Sequence, residues 1–179
     1  MTDQKKLLGE ERRSWLLQML KETSSPITGS ELAAKTNVSR QVIVGDITLL
    51  KAKNEPIMAT SQGYIYLNHT GATPSYERTI ACRHTPEDAE KELNLLVDHG
   101  VTVKDVRIEH PVYGDLIASI MVSNRQEVKQ FMEKVKSTKA SFLSELTSGI
   151  HLHTISSSSE KLLDKAEEEL KIAGFLIEA

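Results

Sequence analysis

The spacing of hydrophobic positions changes along the chain, and that change sorts it into elements. Over Gly9–Thr23, Trp15, Leu16, Met19 and Leu20 fall at helical spacing, which predicts a first helix. From Thr28 to Lys53 the pattern gives two more helices joined by a tight turn. The first runs from Ser30 to Lys35, with Ser30 expected as N-cap ahead of Glu31 and with Leu32 and Ala33 facing inward. A break follows at Thr36 and Asn37, Val38 turns inward, and Ser39 is placed to accept from the free N–H groups that open the next helix. In that helix Ile43, Ile47 and Leu50 fall within a stripe about 60° wide, while Gln41, Gly45 and Thr48 look the other way. Pro56–Leu67 reads as two short strands turning at Ser61-Gln62-Gly63. Asn68–Ser75 mixes Asn, Thr, Gly, Pro and Ser, so it is expected to join a front domain, residues 1–70, to a rear domain, residues 71–179.

In the rear half, Tyr76–Arg83 is expected as a strand and Pro86–Asp98 as a helix, with Thr85 as N-cap and a stop at His99-Gly100. Val101–Glu109 and Leu116–Val122 read as strands on either side of a turn, His110–Asp115. A helix over Asn124–Ser137 buries Val128, Phe131, Met132 and Val135. Ile150–Ile155 alternates strictly, Glu160–Ala173 is amphipathic and stops at Gly174, and Phe175–Ile177 is expected at a sheet edge. Two strand-helix-strand units in series predict a small α/β sandwich with helices on one face of a mostly antiparallel sheet.

The outward face of the helix after Ser39 is small and polar, with Arg40 beside it and Lys51 and Lys53 further on. A DNA groove asks for that arrangement: hydrogen-bonding tips at base edges and cations at phosphates. Three helices, a Val-Ser-Arg turn and a hairpin resemble the winged helix-turn-helix module of bacterial repressors. The resemblance implies that Ser39, Arg40, Gln41, Val44, Gly45, Thr48 and Lys51 face duplex DNA. Charge agrees weakly, with a net of +2 over residues 1–70 and −5 over residues 71–179. Aromatic residues total only 4%, so stacking on single strands is not the expected mode. Cys82 is the single cysteine, which excludes an intramolecular disulfide, and no apolar run approaches the ~20 residues a spanning helix needs. A cytoplasmic protein without a membrane partner is expected.

The sharpest chemistry in the rear half is His151-Leu152-His153. On a strand, residues two apart share a face and stand about 7 Å apart, so both imidazoles can point to one spot. His84 sits where the first rear strand gives way to its helix. Among nearby acids Glu92 borders the stripe of Ala89, Leu93 and Leu96, whereas Glu87 and Glu90 point outward. A carboxylate on the sheetward edge of a helix is costly unless a cation or a metal pairs with it. Such nitrogen and oxygen ligands suit Zn, Ni, Fe or Mn. Cys82 reads as a small core filler.

Taken together, the helix-turn-helix front, Arg83-His84-Thr85, the turn His110-Pro-Val-Tyr-Gly114 and Gly149-Ile-His-Leu-His153 resemble the niacin-responsive repressor family, whose rear module is the three-histidine, or 3H, domain. The likeness covers nearly the whole chain. It implies an α+β architecture of two domains, with an N-terminal winged helix-turn-helix and a C-terminal 3H domain that binds a divalent transition metal and senses nicotinic acid. It further implies repression of genes for NAD biosynthesis and niacin uptake, with nicotinic acid as co-repressor and no enzymatic step. By position the metal role falls on His84, Glu92, His151 and His153, with Ni, Zn or Fe as the ion. His110 is given a place beside the ligands or against the effector, and His69 and His99 are expected in solvent. Nicotinate offers a carboxylate and a ring nitrogen to an open metal position, and Arg83 or Arg107 is the expected counter-charge. A homodimer on double-stranded operator DNA is expected, because two reading helices about 34 Å apart match one turn of duplex. The rivals are a metal-dependent enzyme, which a His/Glu site also suits, and a regulator whose metal is purely structural.

Overall fold

The computed structural model describes residues 8–67 and 75–178, so nearly all of the expected connecting segment, with His69, lies outside the described residues. The chain divides into two compact units, Met1–Gly71 and Ala72–Ala179.

The front unit holds α1 (Gly9–Glu22), α2 (Gly29–Thr36), α3 (Arg40–Ala52), β1 (Ile57–Thr60) and β2 (Gly63–Tyr66). Its N-caps differ in one place from expectation. Thr28, not Ser30, opens α2: its hydroxyl accepts from Glu31 N–H while the Glu31 carboxylate accepts from Thr28 N–H. That reciprocal pair satisfies two free donors at once, which a cap at Ser30 has no acid in place to match. Thr36 stays in α2 and donates its hydroxyl to Leu32, and Asn37 closes the helix in the left-handed region. Ser39 caps α3 as expected, accepting from Val42 N–H. Leu16, Leu20, Leu32, Ile43, Ile47, Leu50 and Ile57 form the core. The wing is antiparallel, with Thr60 opposite Gly63. Ile27 adds a bridge to Tyr64 through two backbone hydrogen bonds. Gly63 lies at φ 136°, where a Cβ would run into the Ile27 carbonyl, so only glycine permits that approach.

A buried charge is the least expected feature of this unit. Asp46 projects from α3 beside the apolar stripe, is 3% exposed, and accepts from Arg12 Nε at 2.6 Å and Arg13 at 3.3 Å. It ties α1 to the helix whose outer face is the candidate DNA reader.

The rear unit comprises β3 (Tyr76–Arg83), α4 (Ala89–Asp98), β4 (Thr102–His110), β5 (Gly114–Val122), α5 (Arg125–Thr138), β6 (Ile150–Ser157) and α6 (Glu160–Ile172). Its sheet runs β3-β6-β4-β5 with antiparallel neighbours, so β6 is inserted between the strands that α4 connects. Ile80, Leu93, Leu96, Val103, Val122, Ile155, Leu163 and Leu170 form the core between sheet and helices. Several bounds shift. Pro86–Asp88 is a separate 3-10 turn before α4, and Thr85 precedes it without a side-chain cap. The β4–β5 hairpin is tighter than expected because His110 Nδ1 accepts from Val112 and Tyr113 N–H, which lets pairing run to His110 and Gly114. In α5 only Val128 is fully buried; Phe131, Met132 and Val135 are half-buried. His99 is half-buried, not exposed, because its Nδ1 bonds back to the Leu95 carbonyl. Phe175–Ile177 lies along β3 through a single bridge at Leu176 and does not extend into a strand.

Candidate metal centre and DNA-reading face

Three pieces of the chain meet here: β6, the segment leaving β3, and α4. β6 presents His151 and His153 on one face, and their ring centroids lie 4.7 Å apart. β3 pairs antiparallel with β6, Cys82 facing His151, and the chain leaving β3 carries His84 to 4.8 Å from the His151 ring. Glu92, in the first turn of α4, enters from above. Its Oε2 is 2.7 Å from His84 Nε2, 3.4 Å from His151 Nε2 and 3.3 Å from His153 Nε2. No side chain of the four is more than 4% exposed.

The other ring nitrogens decide what this arrangement can hold. His84 Nδ1 faces the Thr85 carbonyl at 2.7 Å, His151 Nδ1 the Gly149 carbonyl at 2.9 Å, and His153 Nδ1 the Asp105 carbonyl at 2.6 Å. A carbonyl only accepts, so each Nδ1 carries its proton and each neutral ring turns an Nε2 lone pair toward the carboxylate. Three lone pairs facing an anionic oxygen repel unless positive charge lies among them. Protons supply some. Burial pushes the Glu92 carboxyl up, but the charge of His153 and hydrogen bonds from the three imidazoles hold it well below the usual carboxylate range. Burial pulls His84 and His153 down, and Glu92 more than reverses this, so both are raised. Protonating all three rings around one carboxylate would bury two unmatched positive charges, whereas one divalent ion accepts every lone pair. Glu92 Oε1 supplies an independent fit: it is buried and has no hydrogen-bond partner among the described residues. Imidazoles fixed through Nδ1 to backbone carbonyls are the orientation that metal-binding histidines use.

Gly149 sets this geometry, a role that its place one residue before the His-Leu-His strand did not reveal. At φ 91° it curls its carbonyl onto His151, and a Cβ there would strike the His84 carbonyl. An apolar cavity of about 200 Å³ opens beside the imidazoles, walled by Val106, Ala118, Ile120, Phe131, Val135 and Phe142. No arginine or lysine among the described residues lines it. Arg83 is exposed, and it follows Cys82 on a strand where neighbours point to opposite faces. Arg107 pairs with Leu152, which lies on the opposite face from His151 and His153. His110 serves its own turn. The structure therefore brings His84, Glu92, His151 and His153 together and leaves Arg83, Arg107 and His110 out of the cavity wall.

In the front unit Ser39, Arg40, Gln41, Gly45, Thr48 and Lys51 are exposed and Val44 is half-buried. Thr48 donates to the Val44 carbonyl at 2.8 Å. A Cβ on Gly45 would meet nothing within 4 Å.

The fold thus defines a helix-turn-helix protein with a second, histidine-lined module. A family model described as a 3H domain matches residues 77–179, and one described as an HTH domain matches residues 12–65. The chain is 58% identical over 178 residues to "Transcription repressor NadR" of Bacillus subtilis, covering 99% of both proteins. It is 38% identical over 173 residues to "Probable transcription repressor NiaR" of Thermotoga maritima, covering 97% of both. An uncharacterized protein of Methanothermus fervidus shares 29% identity over 104 residues, 55% of this chain and 16% of that protein. The chain belongs to the 3H-domain family, in the group that carries a helix-turn-helix front unit and whose named members are transcription repressors. With relatives named as transcription repressors and a helix-turn-helix unit of its own, it is a regulator and not the metal-dependent enzyme of the rival reading. No helix among the described residues is long and apolar enough to cross a membrane.

Proposed function

We propose that this protein is a niacin-responsive transcription repressor. Its front unit binds operators of NAD biosynthesis and niacin uptake genes as a homodimer, and its rear unit takes nicotinic acid as co-repressor beside a divalent transition metal held by His84, Glu92, His151 and His153. The observation that carries the sensing half is the convergence of three Nε2 atoms and one carboxylate oxygen at the floor of an apolar cavity. A bound divalent ion supplies fixed positive charge there. Val106, Ile120, Phe131 and Phe142 offer apolar walls to a flat aromatic ring, and with no arginine or lysine among the described residues of the wall, recognition of a carboxylate falls to the centre itself. The ligand must bind the DNA-competent arrangement more tightly than the alternative, or no switch exists.

Operator affinity measured by fluorescence anisotropy tests this directly. Nicotinate should tighten binding, a chelator should abolish the effect, and nicotinamide, which lacks the charge, should shift affinity far less. An operator affinity indifferent to nicotinate at every metal content would leave the ion a structural role.

On the DNA side, Arg40 and Lys51 are assigned to phosphates and Gln41, Val44 and Thr48 to base edges, with Ser39 at the start of the reading helix. Gly45 sits in the middle of that face. Alanine there should stabilise the helix by about 0.5–1 kcal/mol, since nothing obstructs its methyl and glycine is the poorer helix former. Operator affinity should fall at the same time, because the methyl intrudes where the duplex approaches. Thermal unfolding and operator titration of Gly45→Ala check the two halves, and an unchanged affinity would take Gly45 out of the interface.

A further inference from the structure

The rear sheet carries its helices on one side. α4, α5 and α6 pack against the face that holds Ile80, Val103, Ile120 and Ile155. On the reverse, the register lines up Ala81, Leu152, Arg107 and Ile117 as one row across all four strands. Two residues further along, and so on the same face, Arg83 lies opposite Ile150 and Glu109 opposite Asp115. Ile117 is 56% exposed and Ile150 48%. An apolar middle therefore lies open between a cationic edge on β3 and an acidic edge on β4 and β5.

Two observations say that this face lacks a counterpart. Glu109 and Asp115 are like charges directly opposite one another on neighbouring strands, which weakens a sheet, and neither side chain has a hydrogen bond or ion pair among the described residues. Arg107, half-buried in the row, has its Nε shut away from water and without a hydrogen-bond partner among the described residues. A second copy of the chain answers both. Turned about a twofold axis that runs along the strands between β6 and β4, the face meets itself with β3 over β5. Arg83 of each copy then comes against Asp115 of the other, and Ile117 covers the other's Ala81. Arg83 and Arg107 balance Glu109 and Asp115, so the face has no net field to draw in DNA or an acidic protein. Its opposite signs lie on opposite edges, which is the pattern its own inverted copy fits.

We propose that the helix-free face of the rear sheet is the surface through which two copies of this chain associate, with Arg83 and Asp115 as its reciprocal charge pair. The inference rests on the reading of the protein as a homodimer, gives that dimer its interface, and its test separates the two.

Sedimentation equilibrium of the full-length protein reads the association. The wild type should weigh twice the 19.9 kDa of one chain. Arg83→Asp sets acid against acid and Asp115→Arg sets base against base, and each should weaken dimerisation by roughly 10-fold or more. The double variant restores opposite charges across the axis and should recover most of the loss. Within one chain β6 and β4 separate the two positions, roughly 14 Å at ordinary strand spacing, so the recovery has to pass through the other copy. Single variants that dimerise like the wild type, or a double variant no tighter than the singles, would overturn the interface and leave the dimer standing. A wild type that sediments as one chain would overturn both. Should a charge variant fail to fold, Ile117→Arg at the open centre of the face decides instead: a folded monomer supports the proposal, and a dimer as tight as wild type overturns it.

Discussion

Glu92→Ala should reduce the metal content of the purified protein from about one ion per chain to near zero, and with it any response of operator binding to nicotinate. The size of the effect follows from the geometry. Glu92 is the one residue among those described whose oxygen lies within 3.4 Å of all three imidazoles, and it is 2% exposed. Its removal deletes the carboxylate charge and the central contact together, so the loss should exceed the roughly 10–100-fold that an outer hydrogen-bond partner is worth. Glu92→Gln keeps the shape and one acceptor but not the charge, and should fall between wild type and alanine. Elemental analysis against protein concentration measures both. An alanine variant with unchanged stoichiometry would put the ion elsewhere.

The second large effect lies in the other unit. Asp46→Ala should destabilise the front unit by about 3–5 kcal/mol, the cost of breaking a buried ion pair from one side, because it removes the carboxylate that accepts from both Arg12 and Arg13. Against a total stability of about 5–15 kcal/mol for a typical domain, that is a fifth of the total or more, and at the lower end of the range it leaves a substantial fraction unfolded. Trp15 is the chain's single tryptophan and packs against the front core, so urea unfolding followed by its fluorescence reports on this unit. Replacing both partners with apolar residues, Arg12→Met with Asp46→Leu, should recover most of the loss, since a buried pair often does no better than good packing. A single variant as stable as wild type would show that the pair holds nothing together.

Much of this was legible in the sequence where a period or a local motif carried it. Ile43, Ile47 and Leu50 mark the buried side of α3, and the alternation through His151 and His153 places both rings on one face before any fold is known. Glu92 stood out as a carboxylate on the sheetward border of its helix, and burial there is what the structure shows. What sequence could not weigh were contacts between distant residues. Asp46 sits among apolar neighbours for the sake of Arg12, 34 positions earlier, and no local pattern announces that pairing. Arg83 adjoins His84 and Arg107 adjoins Val106, yet one step along a strand reverses the face, so closeness in the chain suggested a counter-charge that the sheet points elsewhere. Cys82 is the small core filler its sequence suggests, buried among Ile80, Leu93 and Phe175 in the rear core. The Thr28 cap is legible too: Thr-Gly-Ser-Glu carries the reciprocal capping spacing, with an acid three residues after Thr28 and none three residues after Ser30.

Whether one ion joins the three imidazoles to Glu92 is tested most directly by anomalous diffraction at the absorption edge of the resident metal. A single peak is predicted about 2.0–2.2 Å from Nε2 of His84, His151 and His153 and from a Glu92 carboxylate oxygen. A crystal of metal-replete protein with no peak there, or with its peak at other residues, would contradict the account.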